Sequence, residues 1–341
     1  MRTAQVWEDP VSWDAFVESS QEACNYHRWI WRRVIQETYG HVPYYLAATS
    51  EGRIEGVLPL VLVKSRLFGD SLVSMPFFSY GGVLTSSELA CQALTAKAVE
   101  LAHDLRARNV ELRQATLGVP GWHEVTEKVT MGVQIPNDVA EMWNRLNPKI
   151  RKRVRHSRKS GLTTCWAGGD RVEDFYRVFA TNMRNLGTPV YPRAWFSNIC
   201  ACLPAQTRIL SVLDEGRTVA AAFVHVFRDT VELPWAASLP DSRKEFSPLL
   251  LYWTLLEWAA ENGFRRVDLG RCTPGSGNYH FKHHWVCEEK PLCWSYWLPA
   301  GAALPHRHAN TGSFRWAVQT WKHLPLAVAN ALGPRIVGGM P

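Results

Sequence analysis

Two β-strands joined by a tight turn are predicted by the stretch Arg208-Ile209-Leu210-Ser211-Val212-Leu213-Asp214-Glu215-Gly216-Arg217. Residues 208–213 are rich in strand-forming side chains, Glu215-Gly216-Arg217 is typical of a turn, and residues 218–227 supply the return strand. The same design occurs earlier, with a strand at 44–49, the turn Glu51-Gly52-Arg53 and a return strand at 54–63. The sequence therefore contains two similar hairpins, whose turns are 164 residues apart.

The elements predicted after each hairpin follow one order. A further strand comes first, then a helix opened by a capping pattern, and then a short buried strand. A shared order of four elements is better evidence of duplication than any single match, and it predicts a mixed α/β fold built as a tandem repeat. The matching pairs are Met75-Pro76-Phe77 with Leu233-Pro234-Trp235-Ala236, Thr85-Ser86-Ser87-Glu88 with Ser247-Pro248, and Asn109-Val110-Glu111-Leu112 with Arg266-Val267-Asp268-Leu269.

The composition is that of a globular protein, with 46% hydrophobic and 20% charged residues in 341. The sequence has no apolar run long enough for a transmembrane helix and no apolar signal region near Met1, so we expect a cytoplasmic protein. Eight scattered cysteines predict reduced thiols rather than a zinc site. Sixteen tryptophans suggest aromatic grooves in addition to a core.

A basic linker helix is predicted at 147–161, with Asn147 and Pro148 at its start and Gly161 at its end. Seven Lys or Arg residues and no acidic residue fall between Lys149 and Lys159, against a net charge of +7 for the whole chain. Such a face is either solvated or binds phosphates, as transfer RNA binding requires. The candidate phosphate contacts are Arg151, Arg155, Arg158 and Lys159.

The tail, residues 301–341, starts as a linker rich in Pro and His. An amphipathic stripe then follows, made by Phe314, Val318, Trp321 and Leu324, and Pro325 interrupts it. Packing on the body of the protein is one reading of this stripe. A peripheral membrane contact through residues 313–332 is the other, favoured by Trp and basic side chains.

The stretch 268–285 carries the residues best suited to chemistry. Residues 267–269 end a buried strand, Pro274-Gly275-Ser276-Gly277 predicts a turn, and an aromatic and basic loop follows from Tyr279 to Trp285. The turn also has the glycines of a phosphate cradle. His280, His283 and His284 lack the spacing of metal ligands, so we predict no metal site.

Three stretches of the chain resemble the FemAB/FemX-type peptidyltransferases, which have two acetyltransferase-like (GNAT) domains. They are Leu146–Arg155 with Lys159 and Gly161, then Asn185–Phe196, then Asp268–Trp285. Together they are most similar to the FemAB-related subgroup associated with PEP-CTERM/exosortase and exopolysaccharide gene clusters. The resemblance implies GNAT-like domains at 1–145 and 146–300, followed by the tail at 301–341.

The resemblance also implies an activity and a set of site residues. FemX-like enzymes transfer an aminoacyl group from aminoacyl-tRNA to an amine of a cell-wall precursor, and a Phe-Lys pair is important at their transfer site. Phe281-Lys282 matches that pair, with Lys282 expected to stabilise an oxyanion or bind a phosphate and Phe281 to hold the ammonium over its ring. Asp268 accepts a proton, orients Arg271 or forms a structural ion pair. The expected substrate contacts are Arg33, Tyr191, Arg193, Trp195, Trp235, Arg271, Ser276, Tyr279 and His284.

The identity of the donor stays open in the sequence. No cofactor is expected beyond the donor itself, which is aminoacyl-tRNA or acyl-CoA. The segment Arg243–Pro248 lacks the glycines with which acetyl-CoA enzymes grip pyrophosphate. The first alternative to the FemAB reaction is an acyl-CoA-dependent N-acyltransferase acting on an exopolysaccharide amino sugar. The second is a non-catalytic scaffold associated with RNA or membrane.

Overall fold

The computed structural model describes residues 2–66, 68–114, 118–240, 246–304 and 312–340, with the side chains of the last range from residue 315 onward. Within these ranges the β-strands are β1 Thr3–Val6, β2 Val42–Ser50, β3 Arg53–Val63, β4 Ser71–Ser74, β5 Leu84–Thr85, β6 Val110–Gln114, β7 His123–Gln134, β8 Thr163–Ala167, β9 Thr207–Asp214, β10 Arg217–Phe227, β11 Thr230–Ser238, β12 Arg266–Cys272 and β13 Glu288–Trp297. The α-helices are α1 Pro10–Ser19, α2 Trp31–Tyr39, α3 Glu88–Asp104, α4 Val139–Arg145, α5 Pro148–Arg158, α6 Val172–Leu186, α7 Arg193–Cys202, α8 Ser247–Glu261, α9 Gly277–His283, α10 Gly312–Lys322 and α11 Leu326–Gly338.

Two compact units divide the chain. The first comprises Met1–Lys128, Pro291–Arg307 and Ile336–Pro341, and the second comprises Val129–Lys290 and His308–Arg335. The divisions after Lys128 and after Lys290 fall inside β7 and β13, so each of these strands has residues in both units. These units differ from the ranges 1–145, 146–300 and 301–341 that the sequence predicts. The boundaries fall within β7 and β13, and no local sequence pattern marks a boundary inside a strand.

The first unit has the strand order β1-β2-β3-β4-β6-β13, with β5 on β3. All of these pairings are antiparallel except β4 with β6, which is parallel. Helix α3 covers one face of this sheet, because its Leu94, Ala98 and Leu101 recur at helical spacing and pack with Leu58 and Leu112 in one apolar core.

The second unit repeats this plan with the strand order β7-β12-β11-β10-β9-β8. Strands β11 and β12 form its parallel pair, and the other pairings are antiparallel. Helix α8 takes the place of α3: its Leu251, Leu255 and Leu256 are buried against Val224 and Val267 in the core. The repeated position of the parallel pair gives the mixed α/β, tandem architecture that the sequence predicts.

The two hairpin turns have the same backbone geometry. Glu51 and Gly52 have φ values of 50° and 77°, and Glu215 and Gly216 have 50° and 80°. Two successive positive φ values define the turn type that matches the twist of a two-residue hairpin. The hairpins inferred from the sequence are therefore confirmed at both turns.

Helices α1 and α2 are separated by the short 3-10 helix Asn25–His27. Local differences from the expected elements occur at two places. Helix α3 starts two residues later than the Thr85 pattern suggests, with Ser87 as its N-cap accepting from the Ala90 N–H. The loop expected after residue 277 is the helix α9, because the Ser276 hydroxyl caps it by accepting from the Tyr279 N–H.

The tail forms α10 and α11, separated at Pro325 as predicted. Helix α10 packs on α6, since a Cβ at Gly187 would come within 2.6 Å of Val318 Cγ1. The later part of the expected linker, residues 305–311, and the Phe314 side chain lie outside the described part of the chain. In the described ranges no helix combines the length and apolar character needed to cross a membrane.

Candidate active site

The parallel pair of the second unit opens into a fork. Strands β11 and β12 are paired from Thr230–Arg266 to Glu232–Asp268, and both strands then continue without further registered pairs between them. Gly270 lies at the branch with φ +77°, in a bulge of β12. A Cβ at Gly270 would lie 3.1 Å from the Leu233 carbonyl oxygen, so this close approach requires glycine. We call residues 233–238 and 269–272 the strand fork.

Lys282 extends from α9 to the strand fork. Its Nζ donates to the Gly270 carbonyl at 2.8 Å and to the Arg271 carbonyl at 3.1 Å. The residue is only 3% exposed, and burial lowers the pKa of its ammonium, opposed by the nearby Cys272 and Asp268. Lys282 is thus a buried cation at the end of the parallel strand pair.

Asp268 stabilises the bulge at Gly270 through two hydrogen bonds. Its Oδ1 accepts from the Thr130 hydroxyl at 2.8 Å and from the Gly270 N–H at 2.7 Å. The side chain is 5% exposed, so its charge acts in a buried setting. Of the roles inferred from the sequence, this geometry fits a structural one, in which the carboxylate orients the turn that receives Lys282.

Phe281 anchors α9 to the body of the second unit. Its ring contacts Tyr252 edge-on at 4.9 Å and lies 6.2 Å from the ring of Trp285. The sequence suggested that this ring holds the Lys282 ammonium over its face. The structure places that ammonium on two carbonyl oxygens instead, so the contribution of Phe281 is to position the helix.

The predicted contact Tyr279 belongs to a side-chain cluster on α9, whose other members, His283 and Glu289, were not among the contacts predicted from the sequence. Tyr279 donates from its hydroxyl to Glu289 Oε1 at 2.8 Å, and His283 Nε2 is also 2.8 Å from Glu289 Oε1. The Tyr279 and His283 rings are 4.4 Å apart, and the hydrogen bond to Glu289 raises the pKa of Tyr279. The spacing of four between Tyr279 and His283 was the available signal. Among the residues described, no three His, Cys, Asp or Glu side chains converge as metal ligands.

His284 lies close to the basic helix α5. Burial lowers the pKa of His284, and the positive charges of Arg153 and His283 lower it further. Its Nδ1 is buried and has no hydrogen-bond partner among the described residues. The α5 helix predicted to bind phosphates therefore comes into electrostatic range of the α9 segment.

The four predicted phosphate contacts of α5 differ in their availability. Arg158 forms an ion pair with Glu257, in which its Nη2 donates to both carboxylate oxygens, at 2.6 and 2.7 Å. Arg155 lies 5.3 Å from the Trp143 ring and is exposed, as is Lys159 at the helix end. Arg151 has one long hydrogen bond, 3.4 Å, to Asn144. A cleft of about 560 Å³ is lined by Asp138, Val139, Ala140, Trp143, Arg155, Arg158, Trp253 and Glu257.

The predicted aromatic contacts form one cluster in the second unit. Tyr191 and Trp195 lie 5.8 and 6.2 Å from the ring of Trp235. Trp195 has no exposed surface and Trp235 is 7% exposed, so both contribute packing in this structure. Direct contact with a substrate stays a prediction for the half-buried Tyr191. Arg193 is exposed and paired with Glu173 at 2.6 Å.

The remaining predicted contacts of the second unit lie around α9. Arg271 is exposed, and its carbonyl accepts from Lys282. The Ser276 hydroxyl caps α9 by accepting from the Tyr279 N–H, and a phosphate cradle at this turn stays a prediction. Residues Arg243, Lys244 and Glu245 of the segment compared with the acetyl-CoA loop lie outside the described residues. Ser247 begins α8, and its buried hydroxyl has no hydrogen-bond partner in the described part of the chain.

Arg33 belongs to the first unit, where it pairs with Glu37 at 2.7 Å on the exposed side of α2. It lines a cleft of about 600 Å³ together with Trp29, Ile30, Arg32, Gln36 and Glu37. The neighbouring Arg32, which the sequence analysis passed over, stacks its guanidinium 4.4 Å from the Trp29 ring. Its Nη1 is buried and lacks a hydrogen-bond partner among the described residues, so Arg32 has an N–H group suited to an anion.

The parallel pair of the first unit differs from the strand fork. Glu111, the counterpart of Asp268, forms a buried ion pair with Arg113 at 2.8 Å. Arg113 Nη1 donates to the Phe78 carbonyl at 2.7 Å, and its guanidinium lies 4.5 Å from the Trp294 ring. Gly81 N–H also donates to the Arg113 carbonyl, at 3.1 Å. The chain after β4 thus folds back onto the Arg113 segment.

Comparison with known proteins agrees with this architecture. Residues 145–283 match the acetyltransferase (GNAT) domain family. The crystal structure of FemX is similar, with a TM-score of 0.70, 16% identity, and coverage of 88% of this chain and 97% of that one. A tandem GNAT protein from the clavulanic acid biosynthesis pathway has a TM-score of 0.55, 11% identity, and coverage of 89% and 99%.

A third similar structure is L-PGS from Bacillus licheniformis, with a TM-score of 0.57, 12% identity, and coverage of 98% of each chain. No curated protein sequence matches this chain significantly. At these identities the structural matches establish the fold alone. The chain has a tandem GNAT-type acyltransferase fold, and its second unit contains the matched acetyltransferase domain.

Proposed function

We propose that this protein is an acyltransferase of the FemAB type, which forms an amide on an amine of a cell-envelope precursor. The observation that carries the proposal is the buried Lys282 ammonium at the strand fork, inside the range that matches an acetyltransferase domain. The narrower assignment to the PEP-CTERM/exosortase-associated subgroup is part of this proposal and rests on the sequence resemblance.

The proposed chemistry takes place at the strand fork, beside the Lys282 Nζ. The acceptor amine attacks the acyl carbonyl of the donor, a C–N bond forms, and the carbonyl oxygen becomes an oxyanion. The C–O or C–S bond to the donor then breaks, and the proton lost by the amine leaves with the released hydroxyl or thiol. Positioning of the two reactants and stabilisation of the oxyanion are the two demands of this step.

Lys282 is proposed to meet the second demand. An ammonium group has three N–H donors, and the Gly270 and Arg271 carbonyls accept from it. A remaining N–H can therefore donate to the developing oxyanion while the other contacts hold the group in place. Asp268 and Phe281 are positioning residues in this mechanism, since Asp268 fixes the bulge and Phe281 fixes α9.

The charged helix α5 favours aminoacyl-tRNA as the donor. Arg151, Arg155 and Lys159 lie on this helix and its C-terminal end, and an extended polyanion is the kind of ligand that such a surface neutralises. An acyl-CoA donor is the alternative, supported by the buried Ser247 hydroxyl at the start of α8.

The acceptor is proposed to carry an anionic group as well as its amine. Arg32 and Arg33 line the cleft of the first unit, and Arg32 has a buried N–H without a described partner. Phosphate or carboxylate groups of an envelope precursor would suit this pair of guanidinium groups. The positive charge of this cleft does not distinguish a peptide amine from an exopolysaccharide amino sugar as the acceptor.

A transfer assay tests the proposed function. Radiolabelled aminoacyl-tRNA and acetyl-CoA are each incubated with the protein and with peptide or amino-sugar amines, and amide products are identified by mass. The proposal predicts an amide product from one donor class. Salt-dependent RNA binding without any turnover, by protein that is fully folded, would favour the non-catalytic scaffold instead.

A further inference from the structure

The tail helix α11 shows an apolar face to solvent. Its Ala329 and Val337 are buried, at 2% and 7% exposure, and define the side that packs on the protein. The opposite arc of the helix consists of Ala327, Val328, Ala331, Leu332 and Arg335, all exposed. A surface helix of a globular protein normally directs polar residues outward, so an outward face with four apolar residues is unusual.

Helix α10 has an outward tryptophan. Its Val318 packs against Gly187 at the end of α6, and Trp316 is 72% exposed. Two residues advance an α-helix by about 200°, so Trp316 points away from the side that holds Val318. Tryptophan is the side chain most enriched at the boundary between lipid and water, because its ring is large and its N–H is polar.

The charge of the tail is uniformly positive. All 31 acidic residues of the chain precede residue 301, whereas four of the Lys and Arg residues follow it. Arg315, His323 and Arg335 are exposed on α10, on the connection and on α11. A second copy of this chain would bring the same positive surface and no carboxylate to pair with it, which disfavours self-association through this face.

We propose that the outward faces of α10 and α11 form a docking surface for an anionic lipid bilayer. The helices would lie in the plane of the interface, with Trp316, Val328 and Leu332 inserted among the acyl chains and Arg315 and Arg335 at the headgroups. At 11 and 13 residues the helices are too short to span the bilayer core. This surface does not depend on the proposed transfer reaction.

Vesicle flotation of the full-length protein tests the apolar part of the proposal. The probes are vesicles of phosphatidylcholine alone and of phosphatidylcholine mixed with phosphatidylglycerol. We expect binding to the mixed vesicles, and at least tenfold weaker binding by the double variant Trp316→Ser with Leu332→Ser. The matched control is Val11→Ser with Leu89→Ser, which removes two apolar side chains at least as exposed as those of the tail from α1 and α3 and should bind as the wild type does.

The charge part is tested with the double variant Arg315→Gln and Arg335→Gln. Each basic residue near an anionic surface contributes about a fivefold change in affinity, so the variant should bind roughly 25-fold more weakly at low salt. Failure of the wild type to bind the mixed vesicles, or unchanged binding by either tail variant, would overturn the proposal. A lipid-free dimer that dissociates on Trp316→Ser would overturn it as well, by showing that a second copy occupies the face.

Discussion

The Lys282 ammonium lies 2.8 Å from the carbonyl oxygen of Gly270, a residue whose left-handed backbone and close approach to Leu233 only glycine allows. This contact joins α9 to the place where β11 and β12 stop pairing. A buried cation held by carbonyl dipoles at a strand fork is pre-organised to stabilise negative charge that develops nearby.

Replacement of Lys282 tests its role in the reaction. Lys282→Met keeps most of the apolar length of the side chain and removes the charge, so we expect transfer to fall by about two orders of magnitude, as when one oxyanion donor is lost. Rates are compared per folded protein, with folding followed by thermal melting. Lys290→Met, at an exposed lysine, is the control, and turnover of Lys282→Met equal to that control would remove Lys282 from the mechanism.

The conformation of Gly270 is tested by adding a single methyl group. Gly270→Ala should lower the free energy of unfolding by about 1–3 kcal/mol, because a left-handed residue acquires a Cβ that lies 3.1 Å from the Leu233 oxygen. Gly216→Ala is the matched control, since Gly216 has φ +80° and open space around its Cβ position. Urea denaturation measures both variants. Equal losses would show that the Leu233 contact adds nothing to the backbone cost.

Glu111 and Arg113 should stabilise the first unit only when both charged side chains are present. Arg113→Met leaves a buried carboxylate without its partner, which costs about 3–5 kcal/mol of the free energy of unfolding. Adding Glu111→Gln should recover part of that loss, since the buried charge is then gone. A double-mutant cycle in urea measures the coupling, and additive effects of the two changes would contradict a coupled buried pair.

Acid should destabilise the protein through His27. This residue is buried, its Nδ1 accepts from the Cys24 N–H, its Nε2 donates to the Gly82 carbonyl, and burial lowers its pKa from 6.5 to about 4. Because the unfolded state takes up the proton first, stability is complete above pH 6.5 and declines as pH falls towards 4. The decline amounts to about 3 kcal/mol for this group.

The measurement for His27 is the free energy of unfolding of the wild type and of His27→Gln at several pH values between 7 and 4. The variant lacks the titrating ring, so its stability should fall less steeply over that range. If the free energy of unfolding falls equally with pH in the two proteins, His27 does not contribute to the pH dependence, and the prediction is refuted.

Much of the fold could be predicted from local sequence. The turns at Glu51-Gly52 and Glu215-Gly216 each contain a glycine, which tolerates positive φ, and Ser87, Asp138 and Asn147 cap helices through their own side chains. The pairing of β7 with β12 and of β13 with β6 could not be predicted, because the paired strands are far apart in the chain. No local pattern encodes such a partner.

The candidate site was only partly accessible to sequence reasoning. Lys282, Phe281 and Asp268 are brought together, but their contacts depend on the bulge at Gly270 and on α9, which contains weak helix formers and was expected to be a loop. Burial of Trp195 and the pairing of Arg158 with Glu257 are tertiary features. The pairing of His283 with Glu289 also arises only when α9 folds beside β13.

Donor binding measured by calorimetry tests whether the protein is an acyltransferase that uses aminoacyl-tRNA. Charged tRNA, uncharged tRNA, acetyl-CoA and a long-chain acyl-CoA are titrated into the wild type and into the variant Arg151→Glu with Arg155→Glu at one fixed salt concentration. The account predicts that charged tRNA binds more tightly than uncharged tRNA and that the variant weakens this binding. Binding of an acyl-CoA alone would transfer the reaction to the alternative donor, and failure of all the acyl donors to bind would contradict an acyltransferase.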